Sequence, residues 1–540
     1  MKKTISLILC LMLVITCFTG CGSSEKEQPA AESGQQAAPT VELATEPETV
    51  EGGITRGGVL TVAKTVALST GNFDIVHTNF ATGDGYVVSN IFDTLINVDD
   101  EGNFVSGLAE SWEFTEDGTG LVMKLREDVS YSNGEKFNAE AAAKVLNWYI
   151  SEECGHVNMK NDLKLIVGTD VVDEYTIQVN TSTPDAGLVT GLSNYGGMMI
   201  APSNIDNGDL ATNPIGTGPF MLETYVEGDH IKLVANPYYY EMGEDGQPLP
   251  YLDGIDYKFI TDDTVKTTNL ESGDVDGVDQ HSSFTSVIKA QSIDGMATYQ
   301  NPYVETFFIT FNLDDERFDD LAVRQALSYA VDRQQIVDTV LEGFGVLAPF
   351  FAREGQWFYS DYAGIMEYNP EKCKEMLAEA GYPDGMTLEL AVIAREPDQT
   401  VAQLVQSQMK AAGVNIEISA MERTSWVDYV STQQAHEIAM AVMGNSGVDV
   451  NRQYTAPLNY LSKTHPIVVE ITEDLGTAKA ATDQNERYEI VTSFQERYLD
   501  EALQIILPQK PIYSSYKDTV HGINFFYYGS TDYEKVWMEG

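Results

Sequence analysis

Arg395 stands two residues past the apolar run TLELAVI (Thr387–Ile393), in a chain with 82 acidic and 32 basic residues. Arginine presents a fork of N–H donors that matches a carboxylate at two points, so a residue of this type at a strand end could hold an anionic ligand. The structural alternative is an ion pair with Glu396 or Asp398. Further on, Gly444-Asn-Ser446-Gly447 sets a serine between glycines, as a nucleophile loop does. A serine nucleophile needs a histidine base and an aspartate that orients it. The elbow pattern G-x-S-x-G fails, because Val448 stands where its last glycine belongs. A secreted hydrolase using Ser446 is therefore kept only as the alternative of a different class. His436-Glu437 begins like a zinc helix, but Met440 occupies the second histidine position. Asp274-Val-Asp276-Gly-Val-Asp279 has the carboxylates of a calcium loop without the bidentate glutamate, and reads as a solvated acidic turn. No metal site, cofactor or catalytic residue is expected.

The elements that must position Arg395 alternate. Thr387–Ile393 reads as a strand and 398–412 as a helix stopped by Gly413. A strand at 414–419, a helix at 424–432 and a strand at 437–442 follow. Strand and helix in alternation imply a parallel sheet covered on both faces. Ligands in such sheets sit beyond the carboxyl ends of the strands, which is where Ala394-Arg395-Glu396 and Met443–Gly447 fall. Upstream, Gly58–Ala63 is a strand. The stretch 108–129 reads as a hairpin around Glu116-Asp-Gly118, with Trp112 and Phe114 on one face. Asn138 caps a helix, 306–313 is a strand, and Asp319 or Asp320 caps the next helix. Asp332 with Gln335 resembles a capping box, and Asn369, Pro370 and Gly381 bracket the cleanest helix of the chain.

Lys2 and Lys3 precede an apolar run of about fourteen residues, short of the roughly twenty that span a bilayer. Phe18-Thr-Gly-Cys21 closes that run like a bacterial lipoprotein box, with Phe18 where Leu is usual. Residues 1–20 thus read as a lipoprotein signal and Cys21 as the lipidated first residue of the mature chain, held at a membrane by its acyl groups. Residues 21–56 are polar and contain no aromatic side chain, a composition that stays disordered as a tether reaching roughly 30 Å. The net charge of −50 excludes nucleic acid as a partner, since phosphate binding needs a basic surface. Of the five cysteines, only Cys21, Cys154 and Cys373 survive processing, and the last two read as free, inert thiols. A hydrophobic content of 43% over the remaining length fits two or three domains with full cores.

Four stretches then carry a resemblance. NIFDTLINVDDEGNFVSGLAESWEFTEDGTGLVMKLREDVSYSNGEKFNAEAAAKVL (90–146), PIGTGPFMLETYVEGDHIKLVANPYYY (214–240), ITFNLDDERFDDLAVRQALSYAVDRQQIV (309–337) and YNPEKCKEMLAEAGYPDG (368–385) resemble, in order, the family-5 extracellular solute-binding proteins. These are the dipeptide-, oligopeptide- and nickel-binding components of bacterial ABC importers. The resemblance implies an α/β, two-lobed, periplasmic-binding-protein-like (type II) clamshell with an additional α+β domain. Lobe I would comprise 57–90, 195–300 and 508–540, the extra domain 91–194 and lobe II 301–507. It implies a monomer that captures a short peptide between the lobes and delivers it to membrane permease and ATPase subunits. Nickel, a chelate or another small solute is the alternative ligand. By resemblance, Arg395 holds a peptide's C-terminal carboxylate, Met443 lines the pocket, and Thr78 and Asn79 line the cleft. The acid that pairs with a peptide's amine is replaced by Asn445 or Ser446, depending on the count, and Asp449 is a nearby substitute.

Overall fold

The structure is a computed structural model that describes residues 43–44, 53–65, 68, 71–77, 87–99, 102–352, 356–359, 367–445, 450–481 and 483–540. β1 (Val59–Lys64) opens the folded part, and β2 (Ile96–Val98) and β3 (Phe104–Ser106) form a short ribbon. β4 (Ala109–Phe114), β5 (Gly120–Leu125), β6 (Ile166–Asp173) and β7 (Thr176–Thr181) make an antiparallel sheet in the order β4-β5-β7-β6. Its hairpin is the one read from sequence: Leu121, Met123 and Leu125 are buried, while Lys124 points to solvent. β8 (Phe220–Val226), β9 (His230–Ala235), β10 (Gly254–Phe259) and β11 (Gly277–Asp279) lead to the long β12 (Met296–Phe311). β13 (Met386–Ile393), β14 (Val414–Met421), β15 (Ile438–Asn445) and β16 (Gln504–Lys517) complete a ten-stranded sheet in the order β14-β13-β15-β12-β16-β11-β1-β10-β9-β8.

Two strands hold this sheet together. β12 pairs antiparallel with β16 along its length, and with β15 only over Val304–Phe311. The β12–β16 register slips between Asn301 and Val304, opposite Ile512 and Pro511. Pro302 and Pro511 lack the N–H that a regular ladder needs, so the irregularity falls where the prolines stand. One core gathers β12–β15 and the helices on them. A second gathers β1, β9 and β10 together with the β4–β7 sheet, which shares that core instead of closing its own. The three strands predicted to be parallel are so: β13 pairs parallel with both β14 and β15.

Several expectations are corrected. The strand expected at 306–313 begins ten residues earlier, because Pro302 is absorbed by the slip instead of ending the strand. Asp332 does cap its helix through Gln335 N, but the reciprocal bond comes from Gln408, whose Oε1 accepts from Asp332 N at 3.1 Å. The segment expected as one helix at 424–432 is α-helical over Arg423–Val427 and widens into a π turn over Asp428–Thr432. The acidic turn is solvated at Asp274 but not beyond it: Asp276 pairs with Lys517 at 2.7 Å and the buried Asp279 with Lys64 at 2.8 Å. Asn369, Pro370 and Gly381 act as predicted, with Asn369 Oδ1 accepting from Lys372 N and Gly381 at φ +99°. Cys154 and Cys373 are free and buried, and burial pushes the Cys373 thiol up to about 12. Arg56, near the end of the expected tether, forms a bidentate pair with Asp245.

Candidate functional site

The irregular region of β12 gathers charge across three neighbouring strands of the sheet. Glu305 lies opposite Gly444 on β15 and opposite Lys510 on β16, so the three form one row across the sheet. Lys510 Nζ donates to Glu305 Oε2 at 3.0 Å. Burial pushes the Glu305 carboxyl up, but Lys510 and Arg395 outweigh it and hold the group below its ordinary range. Glu305 Oε1 makes no hydrogen bond among the described residues.

Arg395 stands where the sequence places it, past the carboxyl end of β13. Its backbone is fixed on both sides: Ala394 N donates to Met421 O, and Arg395 N donates to Ile393 O. Its Nε donates to Asp398 Oδ1 at 3.1 Å, so the intrahelical-type pair anticipated as the structural alternative exists. That pair uses one edge of the guanidinium. Nη1 and Nη2 make no hydrogen bond among the described residues, and the side chain is 43% exposed. Burial lowers the Arg395 pKa, and Asp398 and Glu305 more than reverse this. Asp398 itself is raised, because its burial exceeds the help from Arg395. Both partners move upward, and for opposite reasons: the arginine is amply compensated and the aspartate is not. Asp398 Oδ2 is buried without a hydrogen bond among the described residues.

Tyr303 completes the arrangement. A Cβ on Gly444 would lie 1.7 Å from its hydroxyl oxygen, and a Cβ on Gly529 would lie 2.4 Å from its Cβ. Its backbone N donates to Asn301 Oδ1 at 2.8 Å, and Asn301 Nδ2 donates to Gly529 O at 2.6 Å. The tyrosine is therefore held between the segment following β16 and the end of β15. Met443 lies opposite Thr306 and by strand alternation faces away from Gly444 and Glu305, packing on the core of the parallel strands. Asn445 is the last residue of β15, opposite Val304. Ser446, Asp449, Thr78, Asn79 and Cys21 lie outside the described residues. The sequence reading missed Tyr303, Glu305 and Lys510. The available signals were a glutamate inside VETFFITF, three residues after Pro302, and a lysine inside LPQKPIY, directly before Pro511.

A separate cavity of about 440 Å³ is lined by Asp93, Glu241, Asp532, Glu534 and tyrosines 239, 240, 527 and 528. Burial raises Asp93 to about 7, against the hydrogen bond from Tyr240. Between its unfolded value near 4 and about 7 the folded state binds the proton that the unfolded state has released. Stability from this group is thus present at low pH and lost as pH rises through 7. Asp93→Asn is expected to shrink the difference in unfolding free energy between pH 5 and pH 8 by about 2–3 kcal/mol. Urea titrations at the two pH values read it directly, and an unchanged difference would place the proton elsewhere.

The arrangement suits a binder: an arginine edge, a carboxylate oxygen and an aromatic ring meet at the junction of two strands. A profile described as "Bacterial extracellular solute-binding proteins, family 5 Middle" matches residues 103–466, and the chain belongs to that family. It is a solute-binding protein and not an enzyme. The glutathione-binding protein GsiB of Salmonella typhimurium is 29% identical over 383 residues, 67% of this chain and 70% of that protein. NikA from Brucella suis, in complex with Fe(III)-EDTA, superposes with a TM-score of 0.79 at 22% identity, over 89% of this chain and 100% of that one. DppA from Helicobacter pylori, in complex with the peptide STSA, gives 0.73 at 20% identity, over 90% and 99%. These likenesses establish the fold as the two-lobed type II clamshell. No helix among the described residues is long and apolar enough to cross a membrane.

Proposed function

We propose that this chain is the lipid-anchored binding component of an ABC importer, that it takes short peptides between its lobes, and that it passes them to permease and ATPase subunits. The observation that carries the reading is the free edge of Arg395 beyond β13, shaped for a carboxylate. Two relatives support the ligand class: one is named for glutathione, a tripeptide with two carboxylates, and the other holds a tetrapeptide. No acid stands at 445 or 446, and a buried ammonium without a counter-charge is costly. Glu305 Oε1 supplies that charge in this reading, with Lys510 keeping the carboxyl ionised. In the same reading, lobe I comprises 57–90, 195–300 and 508–540, and lobe II comprises 301–507. They hinge where β12 and β16 slip register, and the ligand favours closure by binding the closed state better. Cys21 carries the lipid.

Native mass spectrometry of the protein, purified without denaturation, tests the ligand. Short peptides are expected to co-purify. Arg395→Ala is expected to weaken their binding at least about 30-fold, the low end of the 2–5 kcal/mol lost when one partner of a buried charge pair is removed. A metal chelate or non-peptide solute in their place would overturn the peptide assignment while leaving the family unaffected.

A further inference from the structure

The geometry points to a strand-acceptor edge on β12, occupied by the chain's own leader at Leu43–Ala44. Among the described residues β15 covers β12 only from Val304 onward, so Met296–Asn301 is paired with β16 on one side and open on the other. Open edges are hazards, because their free N–H and C=O groups accept any extended chain. Proteins usually protect them with charge, proline or a cover. The open stretch here reads MATYQN, without a charge or a proline, in a chain of net charge −50. It therefore depends on a cover. The cover is visible as a backbone bond: Ala44 N donates to Thr298 O at 2.7 Å.

Strand geometry extends the point. The N–H and C=O of one residue point to the same side, and sides alternate, so Met296, Thr298 and Gln300 present their backbone groups to the open edge. The next such position is Pro302, which has no N–H to give. The acceptor edge thus ends before the slip at Asn301–Val304, and a docked leader leaves that irregular region free. Leu43-Ala44 lies in VELAT, where the aliphatic Val41 and Leu43 stand within a mostly polar leader. This is strand addition of the kind used to capture extended peptides, here intramolecular. Its consequence for membrane attachment rests on lipidation of Cys21, whereas the docking itself does not. With the leader held at Ala44, twenty-three positions of sequence separate Cys21 from the point of docking.

Hydrogen–deuterium exchange of the full chain tests the docking, with Ala44→Pro removing the donor and Ala44→Gly keeping it. Exchange at Ala44 is expected to be at least about tenfold slower than in an unstructured chain, in the wild type and in Ala44→Gly alike. Backbone protection at Met296, Thr298 and Gln300, the positions that face the open edge, is expected to fall in Ala44→Pro, while Ala297 and Tyr299 stay protected by β16. Unprotected exchange at Ala44 in the wild type would overturn the proposal. So would protection at Met296, Thr298 and Gln300 that survives Ala44→Pro, because another strand, such as a second copy of the chain, would then be the occupant.

Discussion

Lys64→Ala is expected to lower the unfolding free energy by about 3–5 kcal/mol, the cost of leaving a buried charge without its partner. Lys64 ends β1 and lies beside Asp279 in the parallel β1–β11 register. The two side chains are 4% and 2% exposed, with Nζ 2.8 Å from Oδ2. Asp279 Oδ1 also accepts from Thr531 Oγ1 at 2.9 Å, and the Ser514 hydroxyl lies 3.4 Å away. The pair thus ties β1, β11, β16 and the C-terminal segment at one point. Alanine removes the ammonium and leaves Asp279 with those two hydroxyls and the field of Lys266, a buried cation already paired with Asp263 at 2.6 Å. Replacing both partners, as Lys64→Met with Asp279→Leu, is expected to recover most of the loss, since no charge is then stranded. Guanidinium titration at pH 7 measures each variant. A single-variant loss below about 1 kcal/mol would mean that water reaches Asp279 in the folded state.

That pair also shows where the sequence was opaque. The residues around Asp274–Asp279 carry the composition of a solvated turn, and nothing local reveals that Lys64, more than two hundred positions away, lies against Asp279. The parallel strands were legible for the opposite reason. Their apolar runs, the helix between them and the glycine stop at Gly413 are local signals, and β13 and β14 pair parallel as alternation requires. The position of Arg395 followed from the end of β13 alone. Its company did not: Glu305 and Lys510 come from strands far apart in sequence, and only the pairing of β12 with β16 makes them neighbours. Pro302 concealed the length of β12, because a proline within a strand pattern normally ends it. Gln408 completing the cap at Asp332 is the same lesson on a smaller scale. The capping pattern names one donor and one acceptor, and tertiary packing substituted the other pair.

Gly444→Ala is expected to weaken ligand binding at least about tenfold and to cost about 1–3 kcal/mol of stability, the range for forcing an atom into packed space. The backbone at Gly444 is not in the left-handed region, so alanine suits its conformation and the effect lies in the contact. The new Cβ would lie 1.7 Å from the Tyr303 hydroxyl oxygen, 2.4 Å from Cζ and 2.8 Å from Cε2. The ring must move, and one direction is closed. Gly529 abuts its Cβ, and Asn301 ties the Tyr303 backbone to that same loop by bonds of 2.8 and 2.6 Å. Glu305, two residues along β12 in the row with Gly444 and Lys510, shifts with it. Removing the ring should therefore rescue the glycine change. In a double-mutant cycle, Gly444→Ala is expected to cost at least about 1 kcal/mol less in a Tyr303→Ala background than in the wild type. Thermal or denaturant unfolding of the four proteins gives the coupling, and calorimetry with the co-purified ligand gives the affinity. Strict additivity would show that Tyr303 is not what the glycine accommodates. Coupling in stability with unchanged affinity would confine the tyrosine to the strand junction and exclude it from the ligand's surroundings.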